Sequence, residues 1–259
     1  MTLPMPSPGH PERVTVDVIG SPIDVLGWDE AVERLGAWSR ERRSRVACIC
    51  NAHSLVTARQ DSAFADVLRR AELCTPDGAP VAWMLRRLGH PTQPRINGPD
   101  LMWRYCAWAA RHGESIYLYG GQAETLQKLQ VRLLAAHPGL RIAGAWAPPF
   151  RPLTDEEDRA VVEAINASGA GTVWVGLGCP KQEFWMQAHR GRVQALMLGV
   201  GAAFDYHAGT LQRAPRWMQH AGLEWLHRLA SEPRRLWRRY LLTNTAFIAA
   251  ALRQWLGRR

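Results

Sequence analysis

The chain lacks most of the signatures that would place it at once. It has no uninterrupted apolar run of about 18 residues, so an ordinary membrane-spanning helix is not expected. The proline-rich stretch over residues 1–11 contains no apolar core of the secretory type, so no signal peptide is expected. The five cysteines (48, 50, 74, 106 and 179) form neither a CxxC pair nor a zinc spacing, and they read as reduced, structural thiols of a cytosolic protein. No Walker A sequence occurs, nor the Asp-x-Asp pair common in metal-dependent sugar-nucleotide enzymes. Tyr119-Gly120-Gly121 and Gly176-Leu-Gly178 both stop short of G-x-G-x-x-G, which weakens a dinucleotide-dependent oxidoreductase. The histidines show no ligand spacing, and lysine is scarce, with arginine supplying nearly all the positive charge.

The chain has 259 residues, 47% of them apolar, which is enough for one α/β domain with a substantial core. The net charge of +9 is uneven. From Arg213 onward ten arginines face only Glu224 and Glu232, while the remainder is almost neutral. A neutral body with a basic, tryptophan-bearing tail points to a phosphate-rich partner: anionic lipid, lipid pyrophosphate or nucleic acid.

Apolar segments alternate between strand and helix character. Strands are expected at Val14–Ile19, Arg45–Cys50, from Leu73, at Ser115–Tyr119, at Leu140–Ala145, from Val173 and through Leu196–Gly199. Helices are expected at Trp28–Glu41, Ser54–Arg70, Pro80–Leu88, Pro99–His112, Ala123–His137 and after Thr154, where four acids in the first turn read as helix capping. The fold class is therefore α/β, a Rossmann-like, largely parallel sheet with helices on both faces. Residues 1–12 read as disordered, 13–212 as the main domain, and 213–259 as a C-terminal helical appendage. Within the appendage, Leu236–Leu256 is amphipathic, with arginines crowded at its start. Such a helix either lies in a bilayer interface or packs on its own domain or on another copy of the chain.

The ends of the strands carry the candidate chemistry, because open α/β sheets bind ligands there. Asp77, in Pro76-Asp77-Gly78, is a candidate general base, although Asp-Gly is also an ordinary turn. Asn51 ends the preceding strand and shares the same crevice. Arg95-Ile-Asn97-Gly98 adds a cation and an amide on a nearby loop. Gly120, Gly121, Gly176 and Gly178, followed by Gln182, Glu183 and Asp205, suit a phosphorylated nucleotide. Two rivals are a nucleic-acid-binding protein, disfavoured because the arginines interleave with an apolar helix stripe and no binding motif is present, and the oxidoreductase.

Seven blocks together resemble one family, the WecG/TagA/CpsF glycosyltransferases (glycosyltransferase family 26). They are Asn51-Ala-His-Ser, Thr75-Pro-Asp-Gly, Arg95-Ile-Asn-Gly-Pro-Asp, Tyr117-Leu-Tyr-Gly-Gly, Val175-Gly-Leu-Gly-Cys-Pro-Lys-Gln-Glu, Gly199-Val-Gly-Ala-Ala-Phe-Asp and the Arg213-to-Arg235 segment. The resemblance covers about residues 14–242 and implies a bacterial, inverting enzyme that needs no metal and no cofactor. It implies transfer of a sugar from a UDP-sugar to a polyprenyl-pyrophosphate-linked saccharide, for surface polysaccharides, on the cytosolic face of the plasma membrane. Asp77 matches the family's proposed base and Asn51 a neighbouring active-site position. Gln182, Glu183 and Asp205 match nucleotide-side blocks, and the arginine-rich tail matches an appendage that closes over the site. Arg95, Asn97, Arg213, Arg228 and Arg235 are accordingly assigned to the acceptor and its pyrophosphate. Ile49 stands where many members carry threonine. The xanthan-type exopolysaccharide glucosyltransferases are the subfamily considered. Nucleic acid is not an expected partner, and assembly with further copies of the chain is left open.

Overall fold

The computed structural model describes residues 13–257. Six strands form one parallel sheet in the order β4-β3-β8-β7-β5-β6. They are β3 (Arg45–Cys50), β4 (Leu73–Pro76), β5 (Ser115–Gly120), β6 (Arg141–Trp146), β7 (Thr172–Gly176) and β8 (Leu196–Gly199). Alternation along β3 shows why the sheet is covered on both faces. Val46, Cys48 and Cys50 join one buried cluster, while Ala47 and Ile49 join the other. The second cluster is covered by α1 (Trp28–Glu41), α5 (Gly98–His112), α6 (Ala123–Ala136) and α9 (Ala203–Ala208). The first is covered by α2 (Ala52–Gln60), α3 (Ser62–Arg70), α4 (Ala79–Arg87), α7 (Asp155–Ala167), α8 (Lys181–Ala188) and α12 (Pro233–Leu256). The short α10 (Arg216–His220) and α11 (Glu224–Ser231) lead into α12.

The expected α/β class and parallel sheet hold, with local differences. The first strand, β1 (Thr15–Val18), pairs antiparallel with β2 (Ser21–Asp24) in a separate two-stranded sheet. The single helix expected over Ser54–Arg70 is two helices. Asp61 donates its backbone N–H to the Thr57 carbonyl, ending α2, and its side chain accepts from the Ala63 and Phe64 amides, capping α3. The acidic turn after Thr154 is a capping box: the Glu157 amide donates to Thr154 Oγ1 at 3.2 Å, and the Thr154 amide donates to Glu157 Oε2 at 2.9 Å. Residues 1–12, expected to be disordered, lie outside the described residues.

The connections leave the sheet in opposite directions at one place. β5 runs through α6 to β6 on one side, and β7 runs through α8 to β8 on the other. The crevice between the ends of β5 and β7 is therefore a topological switch point, the usual ligand position in such sheets. At the other end of the order, the C-terminal segment folds back over β3, β4 and β8. There α12 packs against α2, and Phe247 and Ala251 are buried in the main core.

Candidate active site

A cleft of ≈ 750 Å³ opens where the ends of β3, β4 and β8 face α11 and α12. One limb is polar, lined by Asn51, Asp77, Arg95, Asn97, Gln182 and Arg213. The other is apolar, between Trp83 of α4, Trp225 of α11 and the Tyr240, Phe247, Ile248 and Leu252 side of α12. Arg228, Arg239 and His53 line the same space. Burial, followed by the nearby Arg239 charge, pushes the His53 pKa down to about 4, so this imidazole is neutral near pH 7.

Asp77 sits just past the end of β4. Its amide donates to the Cys50 carbonyl at 2.9 Å, which locks the turn onto β3. Gly78 follows with φ +84°, a conformation that favours glycine and lets α4 start immediately. The Asp77 side chain is 19% exposed. Burial pushes its pKa above the ordinary carboxylate value. The Arg95 charge opposes this, the Glu224 charge reinforces it, and hydrogen bonds from Gly78 and Asn51 favour the ionised form. Asn51 also caps α2, its Oδ1 accepting from the His53 and Ser54 amides. Ile49, in the place of the family's threonine, is buried and gives the cleft wall an apolar surface.

The arginines assigned to the acceptor are already engaged. Arg95 places Nε 3.6 Å from Asp77 Oδ1 and ion-pairs through Nη2 with Glu224. Arg213 grips Asp100 with two nitrogens, reaches Asn97 Oδ1 at 3.3 Å, and places Nε 3.3 Å from Glu224 Oε1. Asn97 caps α5 and donates to Asp100 at 2.7 Å. Burial alone would raise the Asp100 pKa, but the bonds from Arg213 and Asn97 outweigh it and hold the carboxyl below its ordinary value. Arg228 lies 5.9 Å from the Tyr206 ring centre and 3.9 Å from Glu232. The side chain of Arg235 lies outside the described residues. Among the described residues, no group of three or more His, Cys, Asp or Glu stands ready to hold a metal.

The nucleotide-side residues divide. Gln182 lies in the cleft, but its Oε1 is spent on the amides of Gly178 (3.1 Å) and Gly201 (2.9 Å). Its Nε2 donates to Glu183 Oε1 at 2.9 Å. Glu183 is 1% exposed beneath the loop, and the Cys179 thiol lies beside its carboxyl group. Burial raises its pKa to about 7 against the bond from Gln182, with the Cys74 charge reinforcing the rise and Cys48, Cys50 and Cys179 close by. Gly120, Gly121 and Gly176 stand at the switch point rather than on the cleft wall. A Cβ on Gly120 would lie 2.7 Å from the Gly176 backbone, so close strand approach requires this glycine. The Gly121 amide donates to the Gly176 carbonyl. Asp205, on α9, accepts from Thr210 Oγ1 at 3.3 Å and is outside the cleft lining. The sequence reasoning missed Glu224, Arg239 and His53 as cleft residues. Glu224 left one signal, as one of two acids in an arginine-rich tail.

Asp77, Asn51, Arg95 and Arg213, from four of the seven sequence blocks, line one cleft. The model of the glycosyl transferase WecG/TagA/CpsF family matches residues 16–259, nearly the whole chain. The chain belongs to this family. It is therefore a glycosyltransferase of surface polysaccharide biosynthesis. The match runs through α10, α11 and α12, so the helical tail that closes the cleft is part of the family's own length.

Proposed function

We propose that the enzyme transfers a hexose from a UDP-sugar to a hydroxyl of a polyprenyl-pyrophosphate-linked saccharide, with inversion and without a metal. The observation that carries the reading is the half-buried Asp77, with its raised pKa, at a strand end in a cleft that also has apolar walls. Asp77 takes the proton of the acceptor hydroxyl. The hydroxyl oxygen forms the new bond to the anomeric carbon as the bond to the nucleoside diphosphate breaks, and the diphosphate leaves with the electron pair. The nucleotide is proposed at the neighbouring switch point, with Asp205 and the start of α6 at hand. Because the Gly121, Gly178 and Gly201 amides bond within the fold, arginines become the main source of positive potential for the diphosphates. Arg228 and Arg239 are the cleft cations proposed for this. The apolar limb suits the first isoprene units of the acceptor, and the exterior of α12, where Trp237, Leu241 and Leu242 are exposed, suits a cytosolic membrane surface.

The test is sugar transfer in EDTA, using a panel of UDP-sugars and a short polyprenyl-pyrophosphate saccharide, with the anomeric configuration of the product read by NMR. Inverting transfer from one donor, unchanged by EDTA, is expected and names the sugar. Loss of transfer in EDTA, retention of configuration, or no transfer by folded protein with any donor would contradict the proposal.

A further inference from the structure

We infer that Glu224 is a positioning residue for the base: it holds the Arg95 guanidinium just short of Asp77, so that seating of the C-terminal segment leaves the Asp77 carboxylate without a direct hydrogen bond from Arg95. The inference rests on the reading of Asp77 as the base.

The geometry is that of a cation pulled two ways and granted to one side. Arg95 pairs directly with Glu224 through Nη2, whereas its Nε stops 3.6 Å from Asp77 Oδ1, beyond hydrogen-bond length. That Nε is buried and has no hydrogen-bond partner among the described residues. A buried, unsatisfied donor facing a carboxylate is unusual; here the pull of Glu224 accounts for it. Glu224 is itself fixed from a second side by Arg213, which is anchored on Asp100. The side chains of Asp77, Arg95 and Glu224 are 19%, 22% and 21% exposed, so little water screens them. Asn51, from the end of β3, is the remaining side chain bonded to Asp77.

Without the Glu224 charge, Arg95 can close the gap and form a charge-assisted pair with Asp77. The pair would occupy an oxygen that must face the acceptor hydroxyl, and it would weaken the base. The two influences on Asp77 have the required signs, Arg95 lowering its pKa and Glu224 raising it. Glu224 opens α11, outside the sheet domain. The base is thus poised only while the C-terminal segment is seated, which ties proton transfer to closure of the cleft.

The experiment compares wild type, Glu224→Gln, Arg95→Gln, the double variant and Asp77→Asn, each checked for folding by circular dichroism. It reads kcat and kcat/KM for both substrates against pH. Glu224→Gln should move the acid limb of kcat/KM down by about half to one pH unit and lower plateau kcat about three- to tenfold, leaving the donor KM within about twofold. In the Arg95→Gln background the same substitution should cost nothing further. An unmoved acid limb, or an undiminished cost in the double variant, overturns the inference while inactive Asp77→Asn upholds the base. Tighter acceptor binding with faster turnover also overturns it, making Glu224 a competing anion. Near-wild-type turnover of Asp77→Asn removes the base reading and the inference together.

Discussion

At the scale of single residues, two carboxyl groups with raised pKa values have different surroundings, Asp77 on the cleft wall and Glu183 buried beneath it. Asp77 faces the cleft and two charged partners. Glu183 is buried among thiols, with Gln182 bonded to it. Burial raises Glu183 from 4.5 to about 7, so the native state holds its proton where the unfolded chain has lost it. Stability must then fall as pH rises between those values, and level off above the native pKa. Glu183→Gln keeps the acceptor for Gln182 and removes the titration. Between pH 5 and 8 its unfolding free energy should fall less than that of wild type, by about 2–3 kcal/mol. Denaturant melts at the two pH values measure this, and equal falls would show that Glu183 is ionised throughout. Asp77 was legible in the sequence because a carboxylate in a strand-end turn is a local pattern. Glu224 was not, because its partners Arg95 and Arg213 are joined to it only by the fold.

At the scale of elements, what was legible had enough length to show a period. The long helices did, while the short β4 and β8, buried at every position, showed only as apolar runs. The α9 and α10 segments, at six and five residues, are too short to complete two turns. β2 hid behind Pro22, which a two-stranded edge tolerates. The break at Asp61 hid within a run whose apolar spacing continues across it. The glycine loops were legible as loops, but their amides are stapled by Gln182, which no spacing reveals. The α12 helix packs on its own domain, one of its two expected roles, and leaves apolar side chains exposed on its outer face. Leu236, Phe247 and Ala251 are buried on the protein, while Trp237 and Leu241 are 56% and 57% exposed. If the outer face meets lipid, Trp237→Ser with Leu241→Ser should leave the melting temperature nearly unchanged and reduce flotation with anionic liposomes by about tenfold or more. Unchanged flotation would rule out that face as the contact.

At the scale of the whole molecule, the strand ends of the sheet with their loops and α4 form one side of the cleft, and the C-terminal helices form the other. Asp77 and Asn51 stand on strand ends, while Glu224, Arg228, Arg239 and, apart from Trp83 of α4, the named residues of the apolar limb come from beyond Arg213. The charge asymmetry of the sequence, a near-neutral body and an arginine-rich tail, is thus an asymmetry across one cleft. No described helix is long and apolar enough to cross a membrane. The most direct test of the central claim is the transfer rate of Asp77→Asn, measured with the donor that wild type accepts and with folding and UDP binding verified. A fall of about 10²–10⁴-fold with UDP binding retained is the predicted result. Turnover near that of wild type would contradict the assignment of Asp77 as the base.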